Sequence, residues 1–221
     1  MSMRRLVMGL TLVVVGMLMP VAEASALTKI SGNVYCYDGV TPLVMGDRFT
    51  VVATASDGSK DAFKITYPTV SSYKIMVDDT LLPADDKSIT LDFKLGDTID
   101  RHLEGINGAA KGNLSIDIGM SKAGAAPVPA AQTITGDLFE KNGAKIIANA
   151  FSYSVVAMDA NNNTYEAVID RNTFTLTIPA ITGNNQTLTL YYYLNGQIDR
   201  YAEGILAITG SFDISHSKAV P

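Results

Sequence analysis

This chain states nearly the same text twice. Ile30-Ser31-Gly32-Asn33-Val34 lies over Ile134-Thr135-Gly136-Asp137-Leu138 at an offset of 104, which also carries Asp38-Gly39 onto Asn142-Gly143 and Val51-Val52-Ala53 onto Val155-Val156-Ala157. The offset then shortens to 99, where Ile99-Asp100-Arg101-His102-Leu103-Glu104-Gly105 meets Ile198-Asp199-Arg200-Tyr201-Ala202-Glu203-Gly204. Such a drift implies small deletions in the loops of the second copy. A duplicated domain of about a hundred residues is therefore the constraint that every other feature must satisfy.

The first 26 residues stand outside both copies. Arg4-Arg5, the apolar run of 14 residues from Leu6 to Met19 and the small residues Ala24-Ser25-Ala26 read as the three parts of an export signal peptide. The apolar run is shorter than the roughly 20 residues that a bilayer span needs. The expected mature chain begins at Leu27 and is secreted, periplasmic or extracellular, with no membrane insertion. Without Arg4, Arg5 and Glu23 it keeps 15 basic residues (17 less two) and 21 acidic ones (22 less one), a charge near −6. Polyphosphate backbones are bound by clustered Lys and Arg, so this balance speaks against nucleic acid as a partner.

Within each copy, short runs rich in Val, Ile, Thr and Tyr alternate with turn residues, and helical periodicity is nowhere sustained. In copy one the strands are expected near Lys29 to Tyr37, Phe49 to Ser56, Asp61 to Ile65, Tyr73 to Val77, Ile89 to Leu95, Thr98 to Leu103 and Asn113 to Ile118. Copy two repeats them near Gln132 to Glu140, Tyr153 to Asp159, Thr164 to Asp170, Thr173 to Ile178, Thr187 to Leu194, Gln197 to Ala202 and Gly210 to Ser215. Asp57-Gly58, Asn161-Asn162-Asn163 and Asn195-Gly196 have the residues that tolerate positive φ in tight turns. The expected fold class is all-β: two tandem seven-stranded immunoglobulin-like or prealbumin-like β-sandwich domains, 27–122 and 132–221, after a signal peptide at 1–26. Between them, residues 123–131 form a small, proline-bearing spacer. Limited contact between the domains is expected, and each should fold alone.

Ile134-Thr135-Gly136-Asp137-Leu138, the turn at Asn142-Gly143, Ser154 to Asp159 and Phe174-Thr175-Leu176-Thr177-Ile178-Pro179 together resemble the prealbumin-like (transthyretin-like) domains called carboxypeptidase regulatory-like. Copy one matches with Gly32, Gly39, Val51 to Ala53 and Tyr73 to Val77, but lacks the Pro after Val77. The resemblance covers about the first half of each copy. It implies a non-catalytic sandwich module of the kind appended to secreted or surface proteins, and it carries no functional residue across.

After the signal, one Cys and two His remain, and His102 is replaced by Tyr201 at the matching place. Neither a His/Cys metal cluster nor a Ser-His-Asp arrangement has its residues, so no enzyme, cofactor or metal is expected. The repeated Asp100, Arg101 and Glu104 with Asp199, Arg200 and Glu203 allow two equivalent polar sites. The simpler reading is an Arg–carboxylate ion pair pinning a hairpin, with Gly105 and Gly204 turning the chain, because a guanidinium repels a metal ion. Asp78-Asp79, Asp85-Asp86 and Asp159 with Asn161 and Asn163 are oxygen-rich loops without a complete calcium pattern. Cys36 cannot form an internal disulfide, and its match to Glu140 suggests a partly wet strand end.

Tyr191-Tyr192-Tyr193 lies over Asp92-Phe93-Lys94. Alternation puts Tyr192 in the core and turns Tyr191 and Tyr193 outward, as a candidate binding patch. The expected function is a secreted structural or interaction module of the bacterial cell envelope, with a protein or a surface polysaccharide as partner. The alternatives are a carbohydrate-binding protein using the Tyr patch, or a subunit of an extracellular assembly.

Overall fold

The computed structural model describes residues 28–44, 47–110, 112–125, 131–146, 152–209 and 211–217. The expected signal peptide at 1–26 lies outside the described residues, as do positions 126–130 of the spacer. Copy one supplies β1 (Thr28–Tyr35), β2 (Phe49–Ala55), β3 (Phe63–Thr66), β4 (Ser72–Val77), β5 (Ser88–Leu95), β6 (Thr98–Asn107) and β7 (Asn113–Gly119). Copy two supplies β8 (Gln132–Phe139), β9 (Tyr153–Asp159), β10 (Thr164–Glu166), β11 (Val168–Asp170), β12 (Thr173–Ile178), β13 (Leu188–Leu194), β14 (Gln197–Thr209) and β15 (Ile214–Ser215). The protein is all-β and sandwich-like, with a 3-10 turn at Asp79–Leu81.

The strands form because apolar residues recur at every second position. In β13, Leu188, Leu190, Tyr192 and Leu194 are buried, while Thr189, Tyr191 and Tyr193 are half-buried on the other face. One face in and one out is what an antiparallel layer over a core requires. Asn195 (φ 53°) and Gly196 (φ 77°) make the tight hairpin that joins β13 to β14.

In copy one β3-β4-β1-β7 forms one layer and β2-β5-β6 the other, with Tyr73 of β4 meeting Phe93 of β5 edge-on at 5.0 Å. Copy two opposes β11-β12-β8-β15 to β10-β9-β13-β14. First and last strands run parallel in both copies, β1 with β7 and β8 with β15. The glycine of each first strand is a packing device: Gly32 pairs with Tyr73 and Gly136 with Phe174, and a Cβ on Gly136 would lie 2.5 Å from that ring. Copy two departs from the expected seven strands. The segment Thr164 to Asp170 divides at Ala167, so that β10 pairs with β9 while β11 crosses to β12 in the opposite layer.

The limited contact expected between the two copies does not hold. Ladders run from one copy into the other: β14 pairs with β7 from Ile205↔Ile118 to Thr209↔Ser115, β15 pairs with β6 at Ile214↔Ile106, and β14 meets β6 at Ala202↔Leu103. The physical reason is edge closure. Taken alone, each copy would leave the outer sides of β6 and β7, or of β14 and β15, as unpaired main chain, and each is closed by a strand of the other copy. Buried side chains from Ile30 to Ile214 accordingly form one continuous core. The described start of the spacer is also fastened down, with the Ala125 N–H donating to Thr41 Oγ1 at 3.0 Å. Cys36, at 2 % exposure, belongs to the core rather than to a wet strand end, and burial pushes its thiol pKa up.

Candidate functional site

The repeated Asp-Arg-x-x-Glu-Gly segment builds the seam between the copies. In copy one Phe93↔Arg101 is followed by Lys94↔Ile99, leaving Asp100 as an extra residue, and Leu91↔Leu103 is followed by Ile89↔Ile106, which sets Glu104 and Gly105 against Thr90. Copy two repeats both shifts at Asp199 and at Glu203-Gly204. These are β-bulges, which re-aim side chains out of their ladder. Asp100 accepts the Ser121 N–H at 2.8 Å and the Ser121 hydroxyl. Asp199 holds Ser217 in the same way, its N–H also at 2.8 Å. Each aspartate thus ties down the chain just beyond the last strand of its copy.

Gly105 and Gly204 have φ of 72° and 71°, the left-handed region in which a side chain is strained. They also make way for the opposite copy: a Cβ on Gly204 would lie 2.5 Å from Arg101 Cδ, and one on Gly105 would lie 2.9 Å from Arg200 Cγ. Each arginine therefore crosses the glycine of the other half. Arg101 Nε donates to the Gly119 carbonyl at 2.7 Å, and its guanidinium stands 3.8 Å from the Asp100 carboxylate. The expected arrangement of an arginine between both carboxylates of its own hairpin is thus only half present. Glu104 turns to His102 instead.

The outer face at this seam gathers the remaining candidates. His102 Nδ1 lies 2.6 Å from Asp92 and Nε2 lies 3.0 Å from Glu104, while its ring meets Tyr201 at 5.3 Å. Burial alone would lower the His102 pKa; the two carboxylates outweigh it and hold the imidazolium above its ordinary value. With both nitrogens engaged by carboxylates, neither is left free to act as a base. Tyr201 is pushed up by burial and by the charges of Glu104 and Glu203. Tyr201 pairs across the strands with Tyr191, and Tyr193 with Ile198, which is 53 % exposed. Tyr192 points inward at 1 % exposure and stacks with Tyr153 at 6.2 Å. The face therefore runs from charged residues on β5 and β6 to tyrosines on β13 and β14.

The oxygen-rich loops are occupied by the chain's own donors. Asp159 accepts from the Asn161 and Asn163 amides, the Asn163 side chain and the Tyr165 hydroxyl, all between 2.8 and 3.0 Å. Asp86 accepts the Ser88 N–H at 3.0 Å, and Asp78 accepts that of Thr80 at 3.1 Å. Among the described residues no group of three or more His, Cys, Asp or Glu is placed to hold a metal, and no helix is long and apolar enough to cross a membrane.

Sequence reasoning singled out Tyr191, Tyr193 and the repeated motif, but missed the grouping of Asp92, His102, Glu104 and Tyr201. A signal existed: His102 and Tyr201 are matched positions that differ, within a segment that otherwise repeats closely. No known family model matches this chain, and no curated protein matches it.

Proposed function

We propose that the protein is an exported, non-catalytic interaction module of the bacterial cell envelope. In this reading the shared seam supplies a stiff frame, and the outer face of β13 and β14 supplies the contact surface. The observation that carries the reading is the placement of Tyr191, Tyr193 and Tyr201 together on that face beside exposed Ile198. Tyrosine brings large contact area at small entropic cost and is enriched where proteins touch. Arg4-Arg5, the apolar run to Met19 and Ala24-Ser25-Ala26 support export. The likeness of Gly32, Gly39 and Tyr73 to Val77 to carboxypeptidase regulatory-like domains supports a module without catalysis.

A second reading, carbohydrate binding, draws on one feature. Tyr191 and Tyr193 project on the same face two residues apart, about 7 Å along the strand, as a pair of rings against which sugars can stack. Glycan arrays probed with the whole protein and with a Tyr191→Ala/Tyr193→Ala variant separate the two. Retained fold, no glycan signal and lost cross-linking to an envelope protein support the first reading. Glycan binding abolished by the double variant supports the second. Recovery of the protein only from the cytoplasm would overturn export.

A further inference from the structure

We infer that the outer edge of β2 is a self-association site, where a second copy of this chain adds its own β2 antiparallel and continues the sheet across a two-fold axis. This surface is separate from the seam face and does not depend on the function proposed above.

Among the described residues, four strands besides the seam strands pair on one side only: β3 with β4, β10 with β9, β11 with β12, and β2 with β5. The first three are guarded. They have 4, 3 and 3 residues and carry Lys64, Glu166 and Asp170 respectively. Short length and charge are the ordinary defences of a sheet edge. By contrast β2 is 7 residues of Phe-Thr-Val-Val-Ala-Thr-Ala, with neither charge nor proline.

The duplication supplies an internal control. β9, which matches β2 in the repeat, has its edge covered by β10 through Ala157↔Tyr165 and Val156↔Glu166. In copy one the corresponding chain goes instead to β3, which pairs with β4 in the opposite layer, and no strand covers the edge, whose last N–H, of Ala55, turns back to the Ser59 carbonyl at 2.9 Å. The Val51 N–H points away from β5 and is held by the Tyr67 hydroxyl at 2.9 Å. Main-chain groups of Phe49, Val51 and Ala53 therefore face outward together. Tyr67 (45 % exposed) packs edge-on against Phe49 at 5.5 Å, and with Val44 and Val70 it lines a concavity of about 180 Å³ beside the strand.

Charge favours a second copy as the occupant. An uncharged strand can meet itself without opposing like charges, and its flanks carry exposed Arg48 beside Asp47, which is neutralised by Lys122, at one end and exposed Asp57 at the other. Antiparallel pairing brings the Arg48 end of one copy beside the Asp57 end of its partner. A two-fold at Val52 sets Phe49 opposite Ala55, Thr50 opposite Thr54 and Val51 opposite Ala53, with the Tyr67 hydroxyl leaving Val51 and the Ser59 carbonyl leaving the Ala55 N–H. Such an interface is isologous and closes at two copies.

Sedimentation equilibrium of the full chain should show a concentration-dependent dimer. Val52→Lys puts two ammonium groups face to face on the axis while leaving each next to Asp92 of its own sheet, and should weaken association by about tenfold or more. Val52→Cys places two thiols at a non-hydrogen-bonded pair, where the Cα separation of about 4.5 Å lies within disulfide range. With dissolved oxygen as the two-electron oxidant, the two thiols should lose their protons and join as a covalent dimer, whereas Val156→Cys, the matched position beneath Glu166, should stay monomeric. A wild-type chain that sediments as a monomer at every concentration overturns the inference. So does a folded Val52→Lys protein that dimerises undiminished, or Val156→Cys linking as readily as Val52→Cys. If Val52→Lys fails to fold, the two cysteine variants decide alone.

Discussion

The two halves of the seam face share one backbone and carry opposite chemistry. On β5 and β6 stand Asp92, Lys94 and His102; on β13 and β14, at the matched places, stand Tyr191, Tyr193 and Tyr201. Beneath them the pairs Arg101 and Arg200, Gly105 and Gly204, Leu91 and Leu190 are identical. The bulge residues that the ladder demands have stayed the same, while the positions of Asp92, Lys94 and His102 on the outer face have diverged. The sheet edges differ in the same sense, with β9 covered by β10 and β2 left open.

The comparison breaks most completely if the halves are separable. Leu27 to Lys122 and Gln132 to Pro221, produced as separate chains, should each lack a cooperative thermal transition by circular dichroism, and mixing them should restore one. Two cooperative melts from the separate halves would mean that the ladders joining them are dispensable.

Next in size is the difference between inner and outer tyrosines. Tyr192→Ala should destabilise the protein by about 3 to 5 kcal/mol, the range for emptying a buried aromatic site. Tyr191→Ala and Tyr193→Ala, on the half-buried outer face, should cost about 1 kcal/mol or less. Denaturant melts that rank the three the other way would invert the facing of β13.

Gly105→Ala and Gly204→Ala should each cost about 2 kcal/mol, from left-handed backbone strain together with displacement of the opposite arginine. Equal losses sharpen the claim that the seam is symmetric; a loss in one copy alone would show that only one arginine matters.

The smallest effect comes from His102. Its pKa is raised in the fold, so its stabilisation is complete below the ordinary value of 6.5 and fades as pH rises through the raised one. The melting temperature should therefore fall as pH rises above 6.5, and His102→Gln should flatten that slope. An unchanged slope in the variant would place the titration elsewhere. At the matched place copy two has Tyr201, whose pKa is raised above the usual tyrosine value of 10.0.

Much of the fold was legible in the sequence because strand alternation is a local steric rule. Tyr192 faces inward and its neighbours outward because successive side chains on any strand take opposite faces. The ladders between copies were not legible, since edge pairing depends on which edges meet in space and a repeat says nothing of that. The Asp-Arg-x-x-Glu-Gly motif was legible only in part for a related reason. Its two bulges exist only relative to a partner strand, so the pairing of Arg101 with Asp100 could be expected, while the hold of Asp100 on Ser121 and the crossing of Gly204 by Arg101 could not. Cys36 was judged by its match to Glu140, yet the two copies bury that position differently.

Leu103 and Ala202 are matched positions that also pair with each other across the seam. In a dimer of single-copy chains, the side chains meeting at such an axis would be one residue confronting itself, and every substitution there would be made twice over. A chain that encodes both halves is released from that identity. His102 beside Tyr201 is the outcome: an unlike pair at a place where two identical subunits could present only like ones, so that each half can vary without its mirror image following.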